Sequence, residues 1–307
     1  MNYSLLVSKQ CIIMFLMSCV GIICYKTNII TQKTQKAFSG FIINIVAPIF
    51  LFMSFQIELS KELIANIITS LVLGILSHII LIILSWVFVR KKDNKNYSIE
   101  RFSLSYTNCG FMGIPLILAV LGQEGALYAT MYVAIFNFLT WSHGVAIMKN
   151  EFTKKEILNI IKSPAIIAIF LGIICLLVGF RLPTIIASPL EYIASMNTPL
   201  PMLIAGVTIA QNNIISTLKD KRAIYISFLR LFLLPIIVML LLLIIPSDNV
   251  VFMSIILLVS CPSAAICTIL AVEYNKDAAY SSRIFAITTI FSSISMPIII
   301  AIMNLLV

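Results

Sequence analysis

The sequence predicts an all-α membrane protein of ten spanning helices, arranged as two inverted five-helix halves, residues 1–150 and 151–307. Three observations predict it. Of the 307 residues, 61% are hydrophobic and only 11% are charged, where a soluble domain carries about 25%. The apolar stretches recur at lengths near the roughly 20 residues that cross a bilayer. The basic residues gather in alternate connections between those stretches. This composition excludes an ordinary soluble enzyme, a disordered chain and a disulfide-stapled secreted scaffold. The net charge of +9 points to cytoplasmic loops, where Lys and Arg collect during insertion, and away from nucleic acid.

Each span follows from its flanks. Lys9 stands near the start of an apolar run that ends at Lys26, giving 5–25. Lys33 and Lys36 precede 37–55. The stretch 63–89 runs uncharged from Glu62 to Arg90. Span 102–121 begins after Arg101, and 125–148 lies between Glu124 and Lys149. Lys162 and Arg181 bound 163–180. The seventh span, 197–212, is short and rich in Pro and Asn. Arg222 precedes 223–245, Asp248 precedes 250–271, and Asp277 precedes 278–305. The seven cysteines (11, 19, 24, 109, 175, 261 and 267) lie in apolar stretches and read as small apolar residues. Leu16-Met17-Ser18-Cys19 faintly resembles a lipoprotein signal, but the hydrophobic segments that follow favour a first helix.

Sorting the basic residues supports the count. The connections after odd-numbered spans hold Lys26, Lys33 and Lys36; Arg90, Lys91, Lys92, Lys95 and Arg101; Lys149, Lys154, Lys155 and Lys162; Lys219, Lys221 and Arg222; and Lys276 and Arg283. Of the 21 basic residues, Lys9, Lys61 and Arg181 fall on the other side and Arg230 lies within a span. A missed helix would scramble this split, so ten spans and both termini outside follow together.

An internal repeat appears at an offset of 152 or 153 residues. Asn44 and Pro48 match Asn197 and Pro201, and Asn108-Cys109 matches Ser260-Cys261. Each of those two cysteines precedes a tyrosine, Tyr128 or Tyr280, by 19 residues. Duplicating a unit of five helices inverts it, which gives the inverted repeat recurrent among secondary transporters.

The chemistry concentrates at two predicted breaks. Tyr106 to Leu116 carries Gly110, Gly113 and Pro115 within a span, and Ser260-Cys261-Pro262-Ser263 is its counterpart. Proline removes a donor and glycine weakens a helix, and backbone freed at membrane depth survives only beside a protected cavity. Two breaks that cross would aim half-helix N-termini at one point, an anion site. The bland alternative is a pair of proline kinks. All twelve Asp and Glu fall in loops or at span ends, which disfavours cation coupling through buried carboxylates. Arg230 reads equally as structural pairing or anion attraction. His78, its repeat partner, reads as an interior histidine, and His143 as interfacial.

The string Asn108 to Leu116, N-C-G-F-M-G-I-P-L, resembles the fourth-helix signature of the auxin efflux carrier family of plant auxin exporters and bacterial permeases. Glu273-Tyr274-Asn275 with Asp277 and Pro297, and Arg230 with Pro235, are similar to its C-terminal part. The resemblance implies two inverted five-helix halves, with helices 4 and 9 crossing at prolines beside the substrate. It also implies that the asparagine at 108 meets a substrate carboxylate. The chain departs from the plant members in lacking their long cytosolic loop, having only residues 149–162 there, and in carrying Ser163-Pro164 where Asn-Pro is common. Both differences bear on auxin itself and not on the fold.

These readings predict a secondary transporter that moves a small organic anion, a carboxylate, across the cytoplasmic membrane by alternating access. Helices 1, 2, 6 and 7 form the scaffold. The expected substrate contacts are Asn108, Cys109, Gly110, Gly113 and Pro115 with Ser260, Cys261, Pro262 and Ser263. Arg230 and His78 are expected as charge or coupling positions. The alternative is a channel or receptor built on the same bundle. An enzyme is not expected, since two scattered histidines without buried carboxylates supply neither a nucleophile with its base nor a metal site. No cofactor or metal is called for. The expected partners are the anion, the bilayer and a second copy in a homodimer.

Overall fold

Several helices begin where the sequence supplies a cap. The computed structural model describes residues 3–57, 61–91, 95–149, 163–212 and 219–306. Within it Thr31, Ser163, Asp220 and Asp248 each accept a backbone N–H from the first turn that follows, meeting donors that a helix start leaves orphaned. The elements are α1 (Tyr3–Lys26), α2 (Gln32–Met53), α3 (Lys61–Phe88), α4 (Tyr97–Ser105), α5 (Cys109–Lys149) and α6 (Pro164–Val178). They continue with α7 (Thr184–Ser195), α8 (Pro199–Ala210), α9 (Lys221–Leu242), α10 (Asn249–Val259), α11 (Ile266–Glu273) and α12 (Ala278–Leu306). Among the described residues, seven helical stretches are long and apolar enough to cross a membrane, and α6 and α10 are shorter apolar helices. The protein is therefore an all-helical, multi-pass membrane protein.

Prolines shape three of these helices in one way. Pro48, Pro115 and Pro235 each follow a five-residue π-helical turn, at Ile42–Val46, Cys109–Gly113 and Leu229–Leu233. A proline ring clashes with the carbonyl four residues back, and each widened turn contains that residue: Asn44, Phe111 or Leu231. The 41-residue α5 is interrupted at Gly122, whose φ of 71° and ψ of −161° lie outside helical space. Only glycine adopts that conformation without strain.

Three starts lie five or more residues before the sequence expectation, the second helix beginning at Gln32 and not near residue 37. The seventh segment starts at Thr184, not near residue 197, because α7 tolerates Pro189 inside it. The fourth starts at Tyr97, so Glu100 and Arg101 belong to a helix and not to a loop. Glu100 is fully buried. Arg222 donates to both its oxygens at 3.0 and 2.6 Å, and the Tyr280 hydroxyl donates at 2.8 Å. A carboxylate placed by sequence in a loop or at a span end is thus enclosed by partners, as an interior carboxylate must be. The connection 150–162, with Lys154, Lys155 and Lys162, lies outside the described residues, as do Glu58, Lys92 and Asp93.

Burial tells which faces meet lipid. On α3, Ile68, Val72, Ile75, Ile79 and Ile83 are exposed at helical spacing, while Ser70, Leu73, Ser77, Leu81 and Ser85 are buried. By contrast α10 is buried along its length from Val251 to Val259, packed against α3 and α5. That is why it is apolar all round. A tight helix contact joins α1 to α8: a Cβ on Gly21 would strike the Leu203 carbonyl, and one on Gly206 the Ser18 carbonyl. Small residues permit such approach in a bilayer.

Candidate functional site

The site is built where two helical paths stop. α4 ends at Ser105, and Tyr106 turns to extended backbone at φ −117°, ψ 127°. α10 ends at Val259, and the chain resumes helical form only at α11. Between these ends, Thr107 and Ser263 form an antiparallel bridge. The Asn108 N–H donates to the Pro262 carbonyl at 2.8 Å, and the Ala264 N–H to the Tyr106 carbonyl at 3.1 Å. The breaks therefore satisfy each other's backbone groups, which would otherwise cost several kcal/mol each at membrane depth. In this register Cys109 stands opposite Cys261. Both border Gly113, where an added Cβ would lie 3.1 Å from the Cys261 sulfur and 3.7 Å from the Cys109 Cβ.

The four half-helix ends are sorted by sign. Arg230, projecting from the widened turn of α9, is 0% exposed. It donates through Nη1 to the Leu104 carbonyl at 2.7 Å, through Nε to the Cys261 carbonyl at 3.3 Å, and through Nη2 to the Val259 carbonyl. One guanidinium thus caps the carbonyl ends of α4 and α10, where helix dipoles place partial negative charge. The opposite ends, the starts of α5 and α11, border a cavity of about 100 Å³ through Asn108, Gly110, Phe111, Ala264, Ala265 and Ile266. One water needs roughly 10–15 Å³ on that measure, so a small organic molecule fits.

The remaining cavity wall is mostly apolar, with Phe50, Val133, Phe136 and Trp141, and carries three further polar side chains, Thr107, Asn137 and Asn197. Among the lining residues none is charged at neutral pH. Asn108 is 5% exposed, and its side chain makes no capping bond to the turn it precedes. Its carbonyl instead accepts from Met112 and Gly113. Among the described residues its carboxamide is left without a capping partner beside the cavity.

Of the residues expected from sequence, Asn108 and Gly110 line the cavity. Cys109, Gly113 and Pro115 are buried beside it. Ser260 and Cys261 are buried and turn back to the carbonyls of Ile256 and Leu257 at 2.7 and 3.4 Å. Pro262 is buried, and the Ser263 backbone N–H donates to Thr288 Oγ1 at 3.3 Å. The second break therefore lines the cavity through Ala264 to Ile266. His78 is buried on α3, with Nδ1 donating to the Gly74 carbonyl at 2.8 Å and its ring 4.3 Å from that of Tyr132. His143 accepts from or donates to the Tyr106 hydroxyl at 2.8 Å. Thr107, Asn137 and Asn197 were not anticipated as lining residues, although Asn197 was visible as a repeat anchor. Among the described residues no three of His, Cys, Asp and Glu gather as metal ligands would.

A family model described as membrane transport protein matches residues 6–157 and 150–300. An uncharacterized transporter of Methanothermobacter thermautotrophicus is 26% identical over 287 residues, 91% of this chain and 92% of the relative. An uncharacterized transporter of Methanocaldococcus jannaschii is 25% identical over 209 residues, 65% of this chain and 68% of the relative.

Proposed function

Because the chain belongs to the membrane transport protein family, of the auxin efflux carrier type, we propose that it is a secondary transporter of a small organic anion. The anion, a carboxylate, is bound at the crossing of the two broken helices and passed across the cytoplasmic membrane by alternating access. The observation that carries this reading is the sorting of helix ends. Arg230 holds the carbonyl ends, and the amide-bearing ends, with the free Asn108 carboxamide, border the cavity. A neutral lining with converging donors suits an anion of low charge on an apolar body.

Ten spans in two inverted halves follow if α5 is read as two spans meeting at Gly122 and three broken pairs each as one: α4 with the start of α5, α7 with α8, and α10 with α11. Both termini then lie outside, on the side opposite most basic connections. Helices α1, α2, α6, α7 and α8 pack on one another, α2 against α6 and α7, and α1 against α8. This group is the scaffold against which the crossing moves. Alternating access arises as the crossing shifts relative to it, exposing the cavity to one side at a time.

The test is counterflow of labelled benzoate, hexanoate and succinate in liposomes holding the purified protein. Saturable uptake of a monocarboxylate, accelerated by the same compound inside, is expected. Flux that rises without saturation would replace the carrier with a channel, and no flux of any of the three would remove the carboxylate assignment.

A further inference from the structure

Asn197 lies where the seventh span is interrupted, between α7 and α8, and it lines the cavity from an element outside the crossing. It is 2% exposed. Its Nδ2 stands 3.5 Å from the Gly110 carbonyl, the long limit of a hydrogen bond, and its Oδ1 has no partner among the described residues. A buried amide left half satisfied lowers stability, so packing alone does not explain its presence.

The internal repeat supplies a control. Asn44 aligns with Asn197, each four residues before a proline. Asn44 is exposed, and its Nδ2 bonds the Gly40 carbonyl of its own helix at 2.8 Å. The same residue at the same repeat position thus stabilises local backbone in one half and faces a cavity in the other.

We propose that Asn197 is a specificity-determining residue of the anion site. This deepens the anion reading above and rests on it. When the anion arrives, the carboxamide turns about its terminal torsion, releases the Gly110 carbonyl and donates to the ligand's charged group. Asn108 donates from the crossing at the same time. The ligand is then held by the crossing and by α7–α8 together, so its charge is sensed by both parts that move relative to each other.

The test measures equilibrium binding of benzoate and of benzamide, which share a shape and differ in charge, to the full-length protein in detergent. Wild type should prefer benzoate. Asn197→Ala should weaken benzoate about tenfold, the effect of losing one hydrogen bond to a charged group, and benzamide less than about threefold. Asn197→Asp should weaken benzoate further, and Asn197→Ser, which keeps one donor, should fall between wild type and alanine. Benzamide binding reports that each variant is folded. Unchanged benzoate affinity in Asn197→Ala, or equal losses of both compounds across the alanine and serine variants, would overturn the role of Asn197 and leave the anion site standing. If wild type binds benzoate no better than benzamide, or binds neither, the anion site itself falls.

Discussion

The two breaks pair with each other yet do different work. In the first, Asn108 keeps its side chain free and Gly110 and Phe111 border the cavity. In the second, Ser260 and Cys261 fold back on their own helix, while Ala264 and Ala265 bring no polar side chain to the cavity. The lesson is that being polar within a break does not make a residue a ligand. What decides is whether the side chain already has a local carbonyl within reach. Serine and cysteine, with short side chains, find the carbonyl four residues back. Asn108 follows a non-helical residue and has no such turn behind it.

The largest effect should come from removing what both breaks share. Arg230→Leu leaves the carbonyls of Leu104, Val259 and Cys261 without their common donor, and should cost about 3 kcal/mol or more, since each buried acceptor left unsatisfied costs roughly 1–3 kcal/mol. Melting in detergent checks this, with Arg230→Lys expected to recover only part because an ammonium lacks the planar fork. A leucine variant that melts like wild type would mean the two breaks are held by the bridge alone.

Next comes the side chain that separates the breaks. Asn108→Asp sets a negative charge beside an anionic ligand and should lower benzoate affinity by more than about a hundredfold, while Asn108→Ser should keep part of it. Wild-type benzoate affinity in the aspartate variant would point to a neutral or cationic substrate and erase the distinction drawn here.

A chemical test addresses how the breaks face each other. In a variant retaining only Cys109 and Cys261, a membrane-permeant oxidant such as copper phenanthroline should join the two, detectable as one linked peptide pair by mass spectrometry. Failure to link while the protein remains folded would contradict the register of the Thr107–Ser263 bridge. The smallest effect should be that of Ser260→Ala, a loss of about 1 kcal/mol of stability with benzoate affinity within roughly twofold of wild type. If Ser260→Ala weakens benzoate as Asn108→Ser does, the breaks are equivalent after all.

Much of this architecture could be read from local chemistry. Gly110, Gly113, Pro115 and Pro262 mark the neighbourhood of the two breaks because both residue types weaken a helix locally, although α7 and α12 continue through Pro189 and Pro297. The lipid-facing character of the chain is equally local. The seventh span reads as short because prolines weaken helices, yet α7 continues through Pro189. Glu100 reads as one of the carboxylates in loops or at span ends because its partners Arg222 and Tyr280 are distant in sequence. For the same reason Arg230 remained ambiguous. Its acceptors are main-chain carbonyls, which every residue carries, so nothing in the sequence marks the three it meets. Asn197 left a trace as a repeat anchor, but its contrast with Asn44 appears only when burial is known.

The glycine contact between α1 and α8 has a consequence for biogenesis. Gly21 is synthesised before α8, whose Leu203 and Gly206 follow 182 and 185 residues later. At about 5–20 residues per second, the first helix waits roughly ten to forty seconds in the membrane for the surface it was shaped to meet. During that interval a groove of exposed backbone, bare of side chains at its centre, is open to lipid and to the helices of other nascent chains. Chains that stall before α8 emerges therefore carry an unfilled docking face, and are the form a membrane quality-control protease should recognise first.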